Sequence, residues 1–272
     1  MMQKLKEMKQ RWDHSIKAVL RRASIFRRLN LSFMLLIMTA AIFLTFFSFY
    51  KYSAEIRANI DRYSSLLVQN VELKIQDTMQ EYEESALTFY DDSKVIRALK
   101  ENAQLYPFKT EADKNKYEEN RYFVESRLYN MRYNQKYIVN VQFVTPREQY
   151  YMVEPDGYRR GGCIRNLEEF YKTDIYLIPQ EKKGYPVWFD MAEQTNIFYP
   201  NEQSIYGYPN IITLGIGVYA PGNREFLGVL LMNVSLNAFS GAMEGYEAYK
   251  DGNTFLIGED GVLMWFNPSL NA

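Results

Sequence analysis

The residues best equipped for chemistry lie between positions 147 and 219: Arg147, Tyr151, Arg165, Tyr171, Tyr185, Trp188, Asp190, Tyr199 and Tyr219. An arginine guanidinium pairs bidentately with a carboxylate. Flat Tyr and Trp faces stack on a sugar ring or an organic cation. Apolar walls with a few convergent polar groups are what a small-molecule pocket requires. Each residue also has a plainer reading, because Tyr is frequent in strands for packing reasons and Arg147 or Arg165 can be surface charges. Trp188 and Arg165 lead the set.

Covalent and metal chemistry is far more restricted. The only histidine is His14, so nothing C-terminal to it can use imidazole as base, nucleophile or metal ligand. That removes Ser-His-Asp, Cys-His and HExxH arrangements from most of the chain. Cys163 is the sole cysteine, which rules out an intramolecular disulfide and reads as a small buried apolar residue. Asp174, Asp190 and Glu193 supply the residue type a glycan-cleaving acid pair needs, but scattered carboxylates are common. No catalytic residue, metal site or cofactor is expected, and an anchored hydrolase is the least favoured class.

The element that must position these residues is set by charge. Of 32 Lys/Arg and 33 Asp/Glu, nine basic and two acidic residues fall within positions 1–28, which leaves the remainder near −8. From Leu29 to Tyr50 there follow 22 residues without a charge. At 1.5 Å per residue they reach about 33 Å, enough for a hydrocarbon core of about 30 Å. The basic flank puts the N-terminus in the cytoplasm, and Phe46, Phe47, Phe49 and Tyr50 suit the opposite interface. The leader and the apolar run are both too long for a cleaved signal peptide. A basic run abutting such a segment reads as a topology signal rather than a nucleic-acid site.

Beyond it, no Gly or Pro occurs from Lys51 to Tyr106. Apolar residues at Ile56, Ile60, Tyr63, Leu67, Val71, Ile75, Met79, Tyr82, Ala86 and Phe89 predict one helix face continuing from the membrane to about Tyr90. A second helix is expected over 112–133, with Tyr117, Val124, Leu128 and Met131 on one side. The period then shifts to strands at 137–144 and 149–153, separated from later elements by a turn at Glu154-Pro-Asp-Gly157. Asn166 and Glu169 mark a capping box. Strands 211–219 and 225–234 flank Ala220-Pro-Gly-Asn223. A short helix over 236–249 precedes a last hairpin of 254–257 and 262–266 around Glu259-Asp-Gly261. The order predicts an α+β domain whose helices cover one face of an antiparallel sheet.

Specific segments carry a resemblance. Ala86-Leu-Thr-Phe-Tyr-Asp-Asp-Ser-Lys-Val-Ile-Arg-Ala-Leu99, Tyr137-Ile-Val-Asn-Val-Gln-Phe-Val144, Tyr150-Tyr-Met-Val-Glu-Pro-Asp-Gly157, Phe226-Leu-Gly-Val-Leu-Leu-Met-Asn-Val-Ser-Leu236 and Phe255-Leu-Ile-Gly-Glu-Asp-Gly-Val-Leu263 together resemble the double-Cache, PAS-like extracytoplasmic sensor domains. The nearest resemblance is to the input region of YesM-like sensor histidine kinases of Gram-positive bacteria.

The resemblance implies a cytoplasmic tail (1–28), a transmembrane helix (29–50), a long helix with a membrane-distal sensor module (51–250) and the start of a membrane-proximal module (251–272). It implies a small-molecule ligand, whether sugar, carboxylate or amine, held between the sheet and the loops crossing it. Its amino-acid-binding subset combines Arg, Trp-Tyr and a later Asp; here Arg165, Phe170-Tyr171 and Asn233 stand near those places, a departure that disfavours an α-amino acid. The expected partners are the membrane and, through the membrane-proximal helix, a second copy of the chain; no nucleic acid is expected. A complete member would continue into a second span and a phosphoacceptor histidine, so the sequence reads as an N-terminal fragment or a truncated form. A membrane-bound transcriptional regulator or a chemoreceptor is the alternative output.

Overall fold

The computed structural model describes residues 25–147, 149–153, 161–190, 196–200, 211–222, 224–239, 241, 255–257 and 263–266. The expected turn at 154–157, the helix beyond Phe239 and the tip of the last hairpin at 259–261 lie outside the described residues. The chain divides between Gln69 and Asn70 into two units.

In the first unit every described residue is helical, belonging to α1 (Ile25–Asp91). This helix is long and apolar enough to cross a membrane, and its most apolar window is wholly exposed. Two of its threonine hydroxyls bond within the helix, as suits an apolar surrounding: Thr39 Oγ1 donates to Leu35 O at 2.5 Å and Thr45 Oγ1 to Ala41 O at 2.8 Å. The apolar stripe continues past Lys51 but stays exposed at Ile56, Ile60 and Tyr63.

In the second unit the same stripe is buried. Ile75, Tyr82, Ala86 and Phe89 pack with Met79 against the sheet, at the alternating three- and four-residue steps of a helix face. The helix stops at Asp91 because Asp92 turns extended (φ −72°, ψ 100°) and caps α2 (Ser93–Leu105), its carboxylate accepting from Lys94 N at 2.9 Å and Val95 N at 3.4 Å. A reciprocal capping box of Thr110 and Asp113 opens α3 (Glu111–Asn134). Tyr117, Val124 and Leu128 are buried on its inner side.

The sheet contains β1 (Ile138–Val144), β2 (Tyr150–Met152), β3 (Val187–Phe189), β4 (Ile211–Tyr219) and β5 (Phe226–Ser235), all antiparallel in the order β2-β1-β5-β4-β3. The α+β class and the PAS-like antiparallel sheet are as expected. β4 and β5 are buried almost end to end, because the sheet is covered on both faces. The long helices take one face, over Val141, Phe143, Leu214, Ile216, Leu230 and Met232. The other receives two elements: α4 (Leu167–Phe170), capped by Asn166, and α5 (Asp174–Lys182). A separate hairpin pairs β6 (Phe255–Ile257) with β7 (Leu263–Phe266).

How α5 reaches the sheet is decided by two glycines. A Cβ on Gly215 would stand 2.9 Å from Pro179 Cγ, and one on Gly217 would run into the Pro179 carbonyl oxygen. Only hydrogen at both positions lets the helix backbone lie on β4. Gly217→Ala is therefore expected to lower stability by about 1–3 kcal/mol, the cost of overpacking, measured by urea denaturation. An unchanged midpoint would show that α5 is not seated there.

Candidate functional site: a polar rank on the ribbon face of the sheet

Register places three polar residues side by side in the middle of the sheet. Thr213 on β4 faces Asn233 on β5, and Asn233 faces Asn140 on β1. Phe189 of β3 adjoins Thr213. Gln142 occupies the next rank along β1, opposite Leu231. All four polar side chains are buried to 1% exposure or less. Their neighbours in sequence, Val141, Phe143, Ile212, Leu214, Met232 and Val234, belong to the helix-side core. By the two-residue period of a strand, the polar groups point to the opposite face.

Over that face runs a two-stranded ribbon. Residues 162–165 pair with 197–199 through Gly162 N to Tyr199 O (2.8 Å), Tyr199 N to Cys163 O (2.9 Å) and Arg165 N to Ile197 O (2.9 Å). One ribbon carbonyl is bonded twice to the floor. Gly162 O accepts from Asn233 Nδ2 at 2.5 Å and from Gln142 Nε2 at 2.8 Å. Thr213 Oγ1 donates to Asn233 Oδ1 at 2.5 Å, and the Tyr150 hydroxyl donates to Gln142 Oε1. Asn140 Nδ2 lies 3.1 Å from Cys163 Sγ, a weak acceptor. Gly162 has φ +76°, and a Cβ there would meet Asn233 Nδ2 at 3.1 Å. Three buried polar atoms have no partner among the described residues, Gln135 Oε1, Asn140 Oδ1 and Gln149 Nε2. Only Asn140 belongs to this rank.

The sheet splits the residues singled out from sequence. On the ribbon side are Arg165, Tyr199, Tyr171 and Tyr219. Arg165 is exposed, donates from Nε to Phe198 O at 2.8 Å and lies over the Tyr199 ring at 5.5 Å. The Tyr171 hydroxyl donates to Thr145 O at 2.8 Å. Its ring begins a chain of contacts through Tyr176 and Phe226 to Tyr219. The Tyr219 hydroxyl donates to Gln180 O.

On the helix side are Tyr151 and Trp188. Tyr151 is 1% exposed and accepts from Asn102 Nδ2 at 3.0 Å; its register partner Phe143 also lies in the helix-side core. Trp188 donates from Nε1 to Glu83 Oε1 on α1 at 2.7 Å and meets the Tyr82 ring edge-to-face. Neither shares a pocket with Arg165 or Tyr199, because the sheet lies between them. Arg147 is exposed in the β1–β2 turn and donates to Ala103 O at 2.5 Å. Tyr185 is 74% exposed ahead of β3. Asp190 is buried just past Phe189 and has a partner of its own. Glu193 lies outside the described residues.

Asn140, Gln142 and Thr213 are not among the residues singled out from sequence, and Asn233 enters there only as a departure from the amino-acid motif, although a signal was present. Polar side chains at alternate positions within Ile-Val-Asn-Val-Gln-Phe-Val, and one inside Leu-Leu-Met-Asn-Val, are costly to bury without a reason.

No protein-family model and no curated protein matches the chain. Several solved structures are similar to it. The ligand-binding domain of the Campylobacter jejuni chemoreceptor Tlp3 in complex with L-valine is 16% identical, with 77% of this chain and 75% of that one covered and a TM-score of 0.38. The ligand-binding domain of the Pseudomonas aeruginosa PAO1 amino acid chemoreceptor PctC with GABA is 11% identical, covers 69% and 71%, and scores 0.37. That of the Pseudomonas fluorescens chemoreceptor CtaA with L-alanine is 13% identical, covers 71% and 70%, and scores 0.34. Scores this low describe a loose likeness and say nothing about the chemistry of the site.

Buried phenols give the unit an alkaline limit. Burial raises Tyr82 from 10.0 to about 12, with Glu81 adding to it. Burial likewise raises Tyr150, beside Cys163, and Tyr151, where the Asn102 hydrogen bond pulls the other way. A phenol raised in the native state holds its proton more tightly than in the unfolded chain. Stability is thus complete below about pH 10 and falls as pH rises toward about 12. Urea midpoints at half-unit steps from pH 8 to 11.5 should be level and then drop; a loss centred below pH 9 would contradict this origin. Trp188→Phe, which removes the bond to Glu83 and leaves a smaller aromatic ring, should cost about 1–2 kcal/mol in the same assay, and Glu83→Gln should cost less.

Proposed function

We propose that this chain is the input region of a membrane-anchored receptor that binds a small molecule on the ribbon face of its sheet. The observation that carries the reading is the buried rank Thr213–Asn233–Asn140, with Gln142 beside it, beneath a ribbon whose Gly162 carbonyl accepts from two of these side chains. A few buried hydrogen-bonding groups among apolar walls are what fixes a small ligand in a specific site. Nothing in the proposed role uses catalysis. The basic tail places the N-terminus in the cytoplasm and the sheet outside.

Signal would pass through the sheet. Ligand above Thr213 shifts β4 and its register neighbour β3, whose Trp188 holds α1 through Glu83 on the opposite face. A small displacement there biases the helix that runs on into the apolar span. The exposed face at Tyr52, Ile56, Ile60 and Tyr63, spaced by four, four and three, is where a second copy pairs. The output proposed is a sensor histidine kinase, on the resemblance of the quoted segments to YesM-like receptors; a chemoreceptor or a membrane-bound transcriptional regulator is the alternative.

The test is a thermal-shift screen of the whole chain in nanodiscs against sugars, carboxylates and amines. A ligand present at 100 times its Kd contributes about 2.7 kcal/mol, so a binder should raise the Tm by several degrees. Thr213→Val should weaken binding of that compound tenfold or more. A screen in which no class stabilises the protein would falsify the receptor reading.

A further inference from the structure

The wiring of the polar rank bears on what kind of molecule fits it. Asn140, Gln142, Thr213 and Asn233 are all neutral, and each can both donate and accept. Asp190, buried, has its own partner, and the other charged side chains described on this side of the sheet or at its edge, such as Arg165, Arg147, Glu168, Glu169 and Lys172, are exposed, whereas the floor is buried. A carboxylate or ammonium lowered onto this floor would be buried without a counter-charge, which proteins avoid. A hydroxyl or amide would meet groups of its own kind.

Asn140 supplies the second observation. Its side chain is 1% exposed, and among the described residues its Nδ2 finds only a sulfur and its Oδ1 no partner. Turning the amide over exchanges which end is orphaned and leaves one end unmet. Its neighbour in the rank, Asn233, is by contrast bonded at both ends. A buried amide with an unmet end, in a rank otherwise fully paired, is a socket for a group the chain does not provide.

Resting on the receptor reading above, we infer that the ligand is an uncharged polyhydroxyl or amide compound, and that Asn140 is one of its binding residues. The ligand takes the place that the Gly162 carbonyl holds over Gln142 and Asn233, and its own hydrogen-bonding group completes Asn140. The two amide donors of the floor keep an acceptor in this exchange, and the displaced Gly162 carbonyl turns to water.

The experiment uses the whole chain in nanodiscs and titrates six probes calorimetrically: D-glucose, N-acetyl-D-glucosamine and myo-inositol against L-valine, succinate and putrescine. The tightest binder should be one of the first three, by at least tenfold. Asn140→Ala should weaken that compound tenfold or more while moving the urea midpoint little, because the lost group was poorly bonded. A purely structural Asn140 would instead move the midpoint and spare the affinity, which overturns its role. Should Asn140→Ala fail to fold, the ranking of the six on the unaltered protein still decides the ligand class. Tightest binding by valine, succinate or putrescine overturns the inference and leaves the receptor standing; loss of putrescine binding in Asp190→Asn would then identify the counter-charge. Binding by none of the six overturns the inference, and the wider screen above decides the receptor separately.

Discussion

A strand buried on both sides has no water to turn to, so each polar side chain it carries must be satisfied by the protein. β4 and β5 are in that position along nearly their whole length, yet Thr213 and Asn233 sit in the middle of them. The bond from Asn233 to the Gly162 carbonyl is the solution. It brings a backbone segment down onto the sheet, which requires glycine at 162 and pairs the segment with 197–199. Without that bond the rank would be a cluster of desolvated amides, each costing about 1–3 kcal/mol. The ribbon is therefore as much a consequence of the strand composition as of its own sequence.

The helix face follows different rules. Its contacts are hydrocarbon on hydrocarbon, with Val124, Leu128, Phe143 and Ile216 all fully buried, and such packing is dense and direction-free. Polar links are few and point toward helices: Asn102 to Tyr151, and Trp188 to Glu83. A dense interface of this kind moves as a body, whereas a hydrogen-bonded one exchanges partners singly.

Sequence revealed the elements with a strong period and missed those where a local rule was broken. The stripe from Val71 to Phe89 has the spacing of a helix face, and the boundaries of α3, β1, β4 and β5 fall within one or two residues of those expected from patterning alone. The long helix ends at Asp91, one residue from the expected end near Tyr90, but α2 had not been predicted, although Asp-Ser was a cap signal. α5 was concealed by Pro179, which sits inside the helix, its ring packed over Gly215. β3 has three residues, too few for an alternation to register. The site was legible in kind but not in place. Aromatic type suggested Tyr151 and Trp188, but which face each takes depends on pairing with Phe143 and Leu214, a long-range fact. The amides that form the floor were in view as polar interruptions of apolar strands.

The difference between the two faces also determines which can receive a ligand and which can report it. Entering the helix side would mean separating close-packed hydrocarbon, with no new bond to offset the loss. In the proposed receptor, entering the ribbon side would trade Gly162 for another acceptor above the same two amides and complete Asn140, whose Oδ1 has no partner among the described residues. Because β3 and β4 belong to both faces, a shift made on the exchangeable side reappears on the rigid one. There Leu214 pairs with Trp188, and Trp188 is bonded to α1. In the proposed receptor, a sheet with alternating polar and apolar residues would thus separate recognition from transmission by the thickness of one strand.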